Sequence, residues 1–299
     1  MSRPEQSPPI KMLHPKGVWP SFSRDGSRIV FGLDGSLVII ASGAEETAQP
    51  ARLTPDGINA TRPTWSWSPE TIAFTYDATT IYTIESDGSN CRPFLPKTHQ
   101  KLPKLFHPCW YKDLKAIAVV GISENEGVRE PVIYKLSQPG SNAPPIQALT
   151  RFPDVCAGRL SVSPDCNMVV FAGNGGGCNQ ESNQLWVVTP EQAAERLEPG
   201  EPVAAYQGRS PGWSPDGRWI AFVSTRPAPR PAKDTPKAIW VISSSGGEAY
   251  QLTDSRYNPS NVEWSRDQKR IVFGSFTHGI GILDVPEKFL PTSPLPSYD

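Results

Sequence analysis

One hairpin pattern recurs six times along the chain and limits what the chain can become. Its clearest copy is Pro211-Gly212-Trp213-Ser214-Pro215-Asp216-Gly217-Arg218-Trp219-Ile220-Ala221-Phe222. A short apolar strand enters a Ser-Pro-Asp-Gly turn, and a second apolar strand leaves it. In the turn, Pro presets φ, Asp bonds its own backbone and Gly accepts a positive φ. The other copies are centred on Ser23, Ser66, Tyr111, Ser163 and Ser265. They lead to Ile29-Val30-Phe31, Ile72-Ala73-Phe74, Ile117-Ala118-Val119, Val169-Val170-Phe171 and Ile271-Val272-Phe273. The last residue of each run lies eight positions beyond the Ser or Tyr, and the copies follow one another at intervals of 43 to 52 residues. A lone hairpin is marginal in water, so the copies must bury one another.

Each copy carries a third apolar alternation: Leu37–Ile40, Ile81–Ile84, Val132–Lys135, Leu185–Val188, Ile239–Ile242 and Ile280–Leu283. A fourth follows in five copies, at 51–54, 92–95, 147–150, 203–206 and 250–253. Four short strands at this period make one blade of a propeller. The expected fold is all-β, a six-bladed β-propeller of four-stranded antiparallel blades. The sixth copy lacks its fourth strand, and Ile10-Lys-Met-Leu-His14 stands spare before the first copy. Residues 10–14 are therefore expected to pair with the last blade and close the ring, which removes exposed sheet edges. The resulting division is an extension over 1–9, one propeller over 10–284, and a loose Pro-rich tail over 285–299.

The W-S-P-D-G-x-x-I-A-F hairpin, the Ile239-Trp-Val-Ile242 strand, the Gly246-Gly247 turn and the Tyr250-Gln-Leu-Thr253 strand resemble the TolB-type propeller repeat. The resemblance runs from about residue 10 to 284 and is looser in copies two and four, where Glu70 and Cys166 disturb the turn. It implies the fold and leaves the function open. The namesake is periplasmic and carries an additional α/β domain, so the resemblance does not extend to compartment.

With 29 Lys and Arg against 30 Asp and Glu, the net charge is −1. No basic stripe interleaved with aromatics occurs, so neither nucleic acid nor an anionic membrane is an expected partner. No apolar run is long enough to span a bilayer, and residues 1–9 lack the apolar core of a signal peptide. The five Cys lack metal-ligand spacing and read as reduced thiols. The expected location is cytoplasmic and the expected state monomeric, with no metal or cofactor.

Antiparallel connectivity puts all the Asp-bearing turns on one face. The opposite face carries the connections between second and third strands, which are long in blades three (Gly121 to Pro131), four (Gly173 to Gln184) and five (Thr225 to Ala238). Long loops on a rigid frame commonly carry function. Residues just before the innermost strands should ring the channel mouth on that loop face: Trp19, Arg62, His107, Arg159, Ser210 and Asn261, with Arg209 one step further out. This ring is cationic and suits an anionic group. Tyr257, Asn174 and Arg226 lie in connections to the same face.

His107 and His278 fall on that face and are the candidates for acid–base chemistry. Gly208-Arg-Ser-Pro-Gly212 matches the G-x-S-x-G pattern without its strand–turn–helix setting, so it is read as coincidence. The chain is short for a propeller-bearing peptidase of the α/β-hydrolase type. The Gly-rich stretch 173–179 precedes no helix and is no phosphate cradle. The repeated Asp25, Asp113, Asp165, Asp216 and Asp267 are turn residues. The expected function is a propeller that holds a small anionic molecule or a protein partner at the loop-face mouth. The alternative is a small-molecule lyase, cyclase or hydrolase with its His and Arg in that mouth.

Overall fold

A computed structural model describes residues 8–67, 70–95, 104–125, 128–140, 142–150, 158–173, 184–189, 208–225 and 235–295. The strands form six antiparallel sheets in sequence order. Blade one is Val18–Phe22, Arg28–Leu33, Ser36–Ala41 and Ala51–Arg52. The innermost strands of the next five blades are Ala60–Trp65, Lys104–Trp110, Ser161–Val162, Arg209–Trp213 and Pro259–Trp264. Five sheets have four strands; blade four shows three among the described residues, and its expected fourth strand near 203–206 lies outside them.

Blade six is completed by Ile10–His14, which pairs antiparallel with Gly279–Asp284, Ile10 opposite Leu283 and His14 opposite Ile280. The ring is thus closed by one strand from each end of the propeller, and Leu13 is fully buried by the closure.

The core lies in the seams. Strand side chains alternate between two faces, so each blade offers one apolar face to each neighbour. Six apolar clusters result, one per pair of adjacent blades. The residues eight positions beyond each turn Ser or Tyr (Phe31, Phe74, Val119, Phe171, Phe222 and Phe273) are at most 2% exposed. This explains their strict spacing: each occupies the centre of a seam.

The Asp-bearing turns are polar knots. Ser23, Ser163, Ser214 and Ser265 donate to the Asp two residues on, at 2.5 to 2.6 Å. The same Ser hydroxyls accept a backbone N–H five residues on. These carboxylates are consumed in holding the turns, as their sequence position implies.

Two segments depart from expectation. The long connection in blade three is largely an extension of its hairpin, with Ala116–Asn125 paired to Val128–Ser137 throughout. The start of the Pro-rich tail is anchored: Phe289 is fully buried, edge-on to Trp219 at 4.9 Å, and Gln268 donates to its carbonyl at 2.7 Å. An aromatic in a Pro-rich stretch finds a seam to fill. No helix among the described residues is long and apolar enough to cross a membrane.

Candidate functional site

The innermost strands of blades one, two, three and five each contain the same β-bulge. Val18 pairs with Gly32 and Ser21 with Val30, so Trp19 and Pro20 together oppose Phe31. The equivalent two-residue bulges are Arg62-Pro63, His107-Pro108 and Ser210-Pro211. The residue before each Pro has a left-handed φ: 59° at Trp19, 54° at Arg62, 55° at His107 and 49° at Ser210. A bulge leaves one residue outside the ladder, and Pro, lacking an N–H, is the residue that loses least there. Non-glycine residues in this region cost of order 1 to 3 kcal/mol each and persist where the surroundings hold them. Four of the six ring positions singled out in the sequence, Trp19, Arg62, His107 and Ser210, are therefore strained sites on the innermost strands. Blade six has its own register shift between Pro259 and Asn261.

At this loop-face mouth, Trp19 is the centrepiece. His107 meets it edge-on at 4.8 Å, and the Arg62 guanidinium lies over its ring at 5.4 Å. His107 is buried, at 3% exposure. Burial pushes the Arg62 pKa down from its ordinary value, and its Nε–H is buried without a hydrogen-bond acceptor. Asn261, on the other side of blade one, is fully buried. Its Oδ1 accepts from Ser260 at 3.2 Å while its Nδ2 has no partner. Two buried donors on either side of Trp19 are left unsatisfied.

Two residues deeper, the channel is barred. Arg159 reaches inward, ion-pairs with Glu263 and donates to the carbonyl of Pro20 at 3.3 Å. Glu263 also accepts from Ser21 Oγ at 2.8 Å and from the backbone of Phe22 at 2.9 Å. Blades one, four and six are tied together across the axis. Burial pushes Arg159 down to about 10, so it stays cationic at neutral pH and requires its carboxylate. Ser21 and Ser161 in turn accept the backbone N–H of Trp65 and Trp213 of the next blades, both at 3.0 Å.

Three further residues along, the innermost strands deliver Arg24, Trp67, Lys112, Pro164, Pro215 and Arg266 to the turn face, one from each blade. A cavity of about 80 Å³ runs from the Arg159–Glu263 bar to this end and is lined by all six blades.

The remaining candidates are spread out. His278 is exposed on the turn of blade six, bonded to Thr277 Oγ1 at 2.8 Å and 6.1 Å from the ring of Tyr257. Among the described residues no contact joins His278 or Tyr257 to the ring around Trp19. Arg209 sits one residue outside the blade-five bulge, paired across to Val223. Asn174 and Arg226 lie outside the described residues. Of the six ring positions, the structure brings Trp19, Arg62, His107 and Asn261 to one mouth and turns Arg159 inward to a carboxylate. Glu263 is the residue that reading the ring alone overlooks. The signal was present, because strand alternation sends the second residue past the ring to the axis again. Among the described residues no group of three or more His, Cys, Asp or Glu is placed to hold a metal ion.

No protein-family model matches the chain. A 62-residue stretch, 21% of the chain, is 40% identical to the uncharacterized peptidase YuxL of Bacillus subtilis, and it spans only 8% of that protein. In structure, the chain is similar to a TolB-type protein of Agrobacterium tumefaciens, with TM-score 0.62, 19% identity, and coverage of 93% of this chain and 91% of that one. It is also similar to an oligogalacturonate lyase solved in complex with manganese, with TM-score 0.58, 13% identity and 96% coverage of both chains. Such identities speak for fold alone. With six blades in sequence order and a closing N-terminal strand, the chain has the fold of a TolB-like six-bladed β-propeller.

Proposed function

We propose that this chain is a binding propeller whose loop-face mouth holds an anionic group, carried by a small molecule or by a protein partner. The observation that carries the reading is the pair of buried, unsatisfied donors flanking Trp19: Arg62 Nε–H and Asn261 Nδ2–H. An unpaired buried donor costs about 1 to 3 kcal/mol, more for a charged group, and a carboxylate or phosphate oxygen would satisfy both. Trp19 offers a rigid apolar wall between them. The thiols of Cys91, Cys109 and Cys166 are free, which agrees with a reducing compartment and supports a cytoplasmic location.

The test is calorimetry and thermal unfolding with acetate, succinate, galacturonate and inorganic phosphate at constant ionic strength. At least one anion should raise the melting temperature of the wild type. That rise should vanish in Arg62→Leu and Asn261→Leu. A rise untouched by either variant, or none with any of these anions, would overturn the reading.

A second reading adds chemistry to the same mouth. His107 is buried there against Trp19, within the ring that carries Arg62. It would accept a proton from a substrate whose anionic group Arg62 holds. Fold similarity to the solved oligogalacturonate lyase supports trying oligogalacturonates first. Turnover by the wild type that disappears in His107→Ala, with anion binding kept, would favour it. His278, exposed on the rim, would serve only if substrate extends outward over Tyr257.

A further inference from the structure

The repeat lets one position be followed through every seam. The residue five past each turn Ser or Tyr opens the second strand of its blade: Arg28, Thr71, Ala116, Met168, Trp219 and Arg270. In three blades a long side chain from this position fills the turn-face end of a seam. Arg28 lies over the Trp65 ring of blade two at 5.0 Å, and Arg270 over the Phe22 ring of blade one at 5.3 Å. Trp219 packs edge-on to Phe289 at 4.9 Å. In blade two the residue is Thr71, whose hydroxyl donates to Glu85 at 3.1 Å. A Thr is too short to cover the next blade's Trp110. A cavity of about 500 Å³ lies there instead, bordered by Thr71, Thr83, Arg92, Phe94, Trp110 and Leu114.

The seam between blades five and six shows what such a space takes. Ala73 pairs with Thr83 as Ala221 pairs with Val241, and Tyr82 pairs with Pro93 as Trp240 pairs with Gln251. Thr83 is thus the counterpart of Val241, Arg92 of Tyr250 and Phe94 of Leu252. Spacing from the turn residue makes Trp110 the counterpart of Trp264 and Leu114 of Gln268. In the blade five–six seam, Phe289 is buried in one cluster with Val241, Leu252 and Trp264. It meets Tyr250 edge-on at 5.7 Å, and its carbonyl accepts from Gln268 at 2.7 Å. A peptide segment with one aromatic side chain therefore occupies this place in one copy of the repeat. The blade two–three seam keeps the aromatic floor, with Phe94 edge-on to Trp110 at 6.0 Å. Its rim differs in charge. Lys288, just before Phe289, lies over the Tyr250 ring at 4.7 Å, and Arg92 stands where Tyr250 does. A cation before the aromatic would meet a second cation there, and a carboxylate would meet its complement.

We propose that the turn-face seam between blades two and three docks a peptide segment of a partner protein in which an acidic residue precedes a Phe. The Phe ring takes, against Phe94 and Trp110, the place that Phe289 takes against Leu252 and Trp264. The acidic residue meets Arg92, which is exposed at the rim. A buried aromatic anchor beside a charged rim is a common way for a short segment to be held. The volume is that of an ordinary ligand pocket. The site is separate from the loop-face mouth and does not depend on it, because it is built from the turns and outer strands of the opposite face.

Calorimetry of the full chain with the acetylated and amidated peptide Pro-Glu-Glu-Phe-Leu-Pro tests the site. This is the chain's own segment 286–291 with Glu in place of Lys288. The wild type should bind it, and the same peptide with Ala for Phe should bind about tenfold more weakly or worse. The native sequence, with Lys before Phe, should bind roughly threefold more weakly. Arg92→Glu should reverse the order of the Glu and Lys peptides. Thr71→Arg, which supplies the side chain that blades one and six already carry at this position, should fill the seam and abolish binding while the melting temperature is kept. The mouth variant Arg62→Leu should bind as the wild type does. No binding in the wild type, or no reversal in Arg92→Glu, overturns the proposal. Binding that survives in Thr71→Arg assigns the peptide to exchange with the chain's own tail and also overturns it. Acetyl-phenylalanine amide binding as tightly as the peptide marks a small-molecule pocket and overturns peptide docking.

Discussion

At the loop-face mouth, the cation and its neighbours are spread over strained bulges with aromatic side chains between them. At the turn-face end, five residues along the same strands, Lys112 and Arg266 share the Trp67 indole and Arg24 stands close by. The mouth holds its residues by backbone: left-handed φ at Trp19, Arg62, His107 and Ser210, each followed by Pro. The turn face holds its residues by polar knots of Ser and Asp. Between them, the Arg159–Glu263 ion pair crosses the axis. The contrast shows that one repeat can present different chemistry at its two ends, because the mouth position and the turn position vary independently while the seams stay constant.

The largest effect should come from the bar. Glu263→Leu leaves Arg159 buried without its counter-charge and orphans Ser21 Oγ and the Phe22 N–H. It should destabilise by roughly 3 to 5 kcal/mol in urea titration, and the double variant with Arg159→Met should recover most of the loss. If the double variant is no better than the single, the two residues are not coupled and the division into two ends fails.

Lys112→Met should do the opposite. Removing a desolvated cation should leave stability within about 1 kcal/mol of wild type, on the more stable side, despite the lost contact with Trp67. Its pH signature is specific. A cation with a folded pKa near 7 against 10.5 unfolded binds fewer protons when folded in that window. Wild-type stability should therefore rise as pH goes from 7 towards 10 and the rise should shrink in Lys112→Met. The groups facing Lys112 are Asp165 and Cys166 of blade four, Asp216 of blade five and Arg266 of blade six. A wild-type profile that is flat above pH 7 would count against a desolvated lysine.

Asn261→Leu should cost less than about 1 kcal/mol, although the side chain is fully buried, because it removes a donor that has no acceptor. A loss of several kcal/mol would mean that Asn261 has a structural partner and would weaken the mouth as an anion site. The smallest change is expected at Asp25. Its carboxyl is held at about 2 chiefly by the Ser23 hydroxyl, below its ordinary 3.8. A depressed carboxylate stabilises above pH 4 and loses that contribution as pH falls towards 2. Because Asp25 is largely open to solvent, Asp25→Asn should flatten acid unfolding by less than about 1 kcal/mol.

The ring was legible because its signals are local and repeated. Ser-x-Asp-Gly turns, the eight-residue step to each seam residue and the spare strand at 10–14 are set by turn chemistry and by alternation within single copies. The mouth was half legible: reading the residue before each Pro finds Trp19, Arg62 and His107, but not the bulge that aims them. The Arg159–Glu263 pair joins blades four and six, 104 residues apart, and local periodicity carries no information about such partners. The turn-face cations were visible as departures from Ser-Pro-Asp-Gly. They occupy a position whose residue type the turn itself leaves open, unlike the Asp that follows it. Phe289 shows the same limit, since a lone aromatic among prolines gives no sign of the seam that receives it.

The most direct test is an anomalous difference map from crystals soaked in bromide, which marks anion sites without presuming a ligand. The account predicts a peak beside Trp19 within reach of Arg62 Nε and Asn261 Nδ2, and none at the Arg159–Glu263 bar. Bromide seated at the bar, or absent from the mouth beside Trp19, would contradict it.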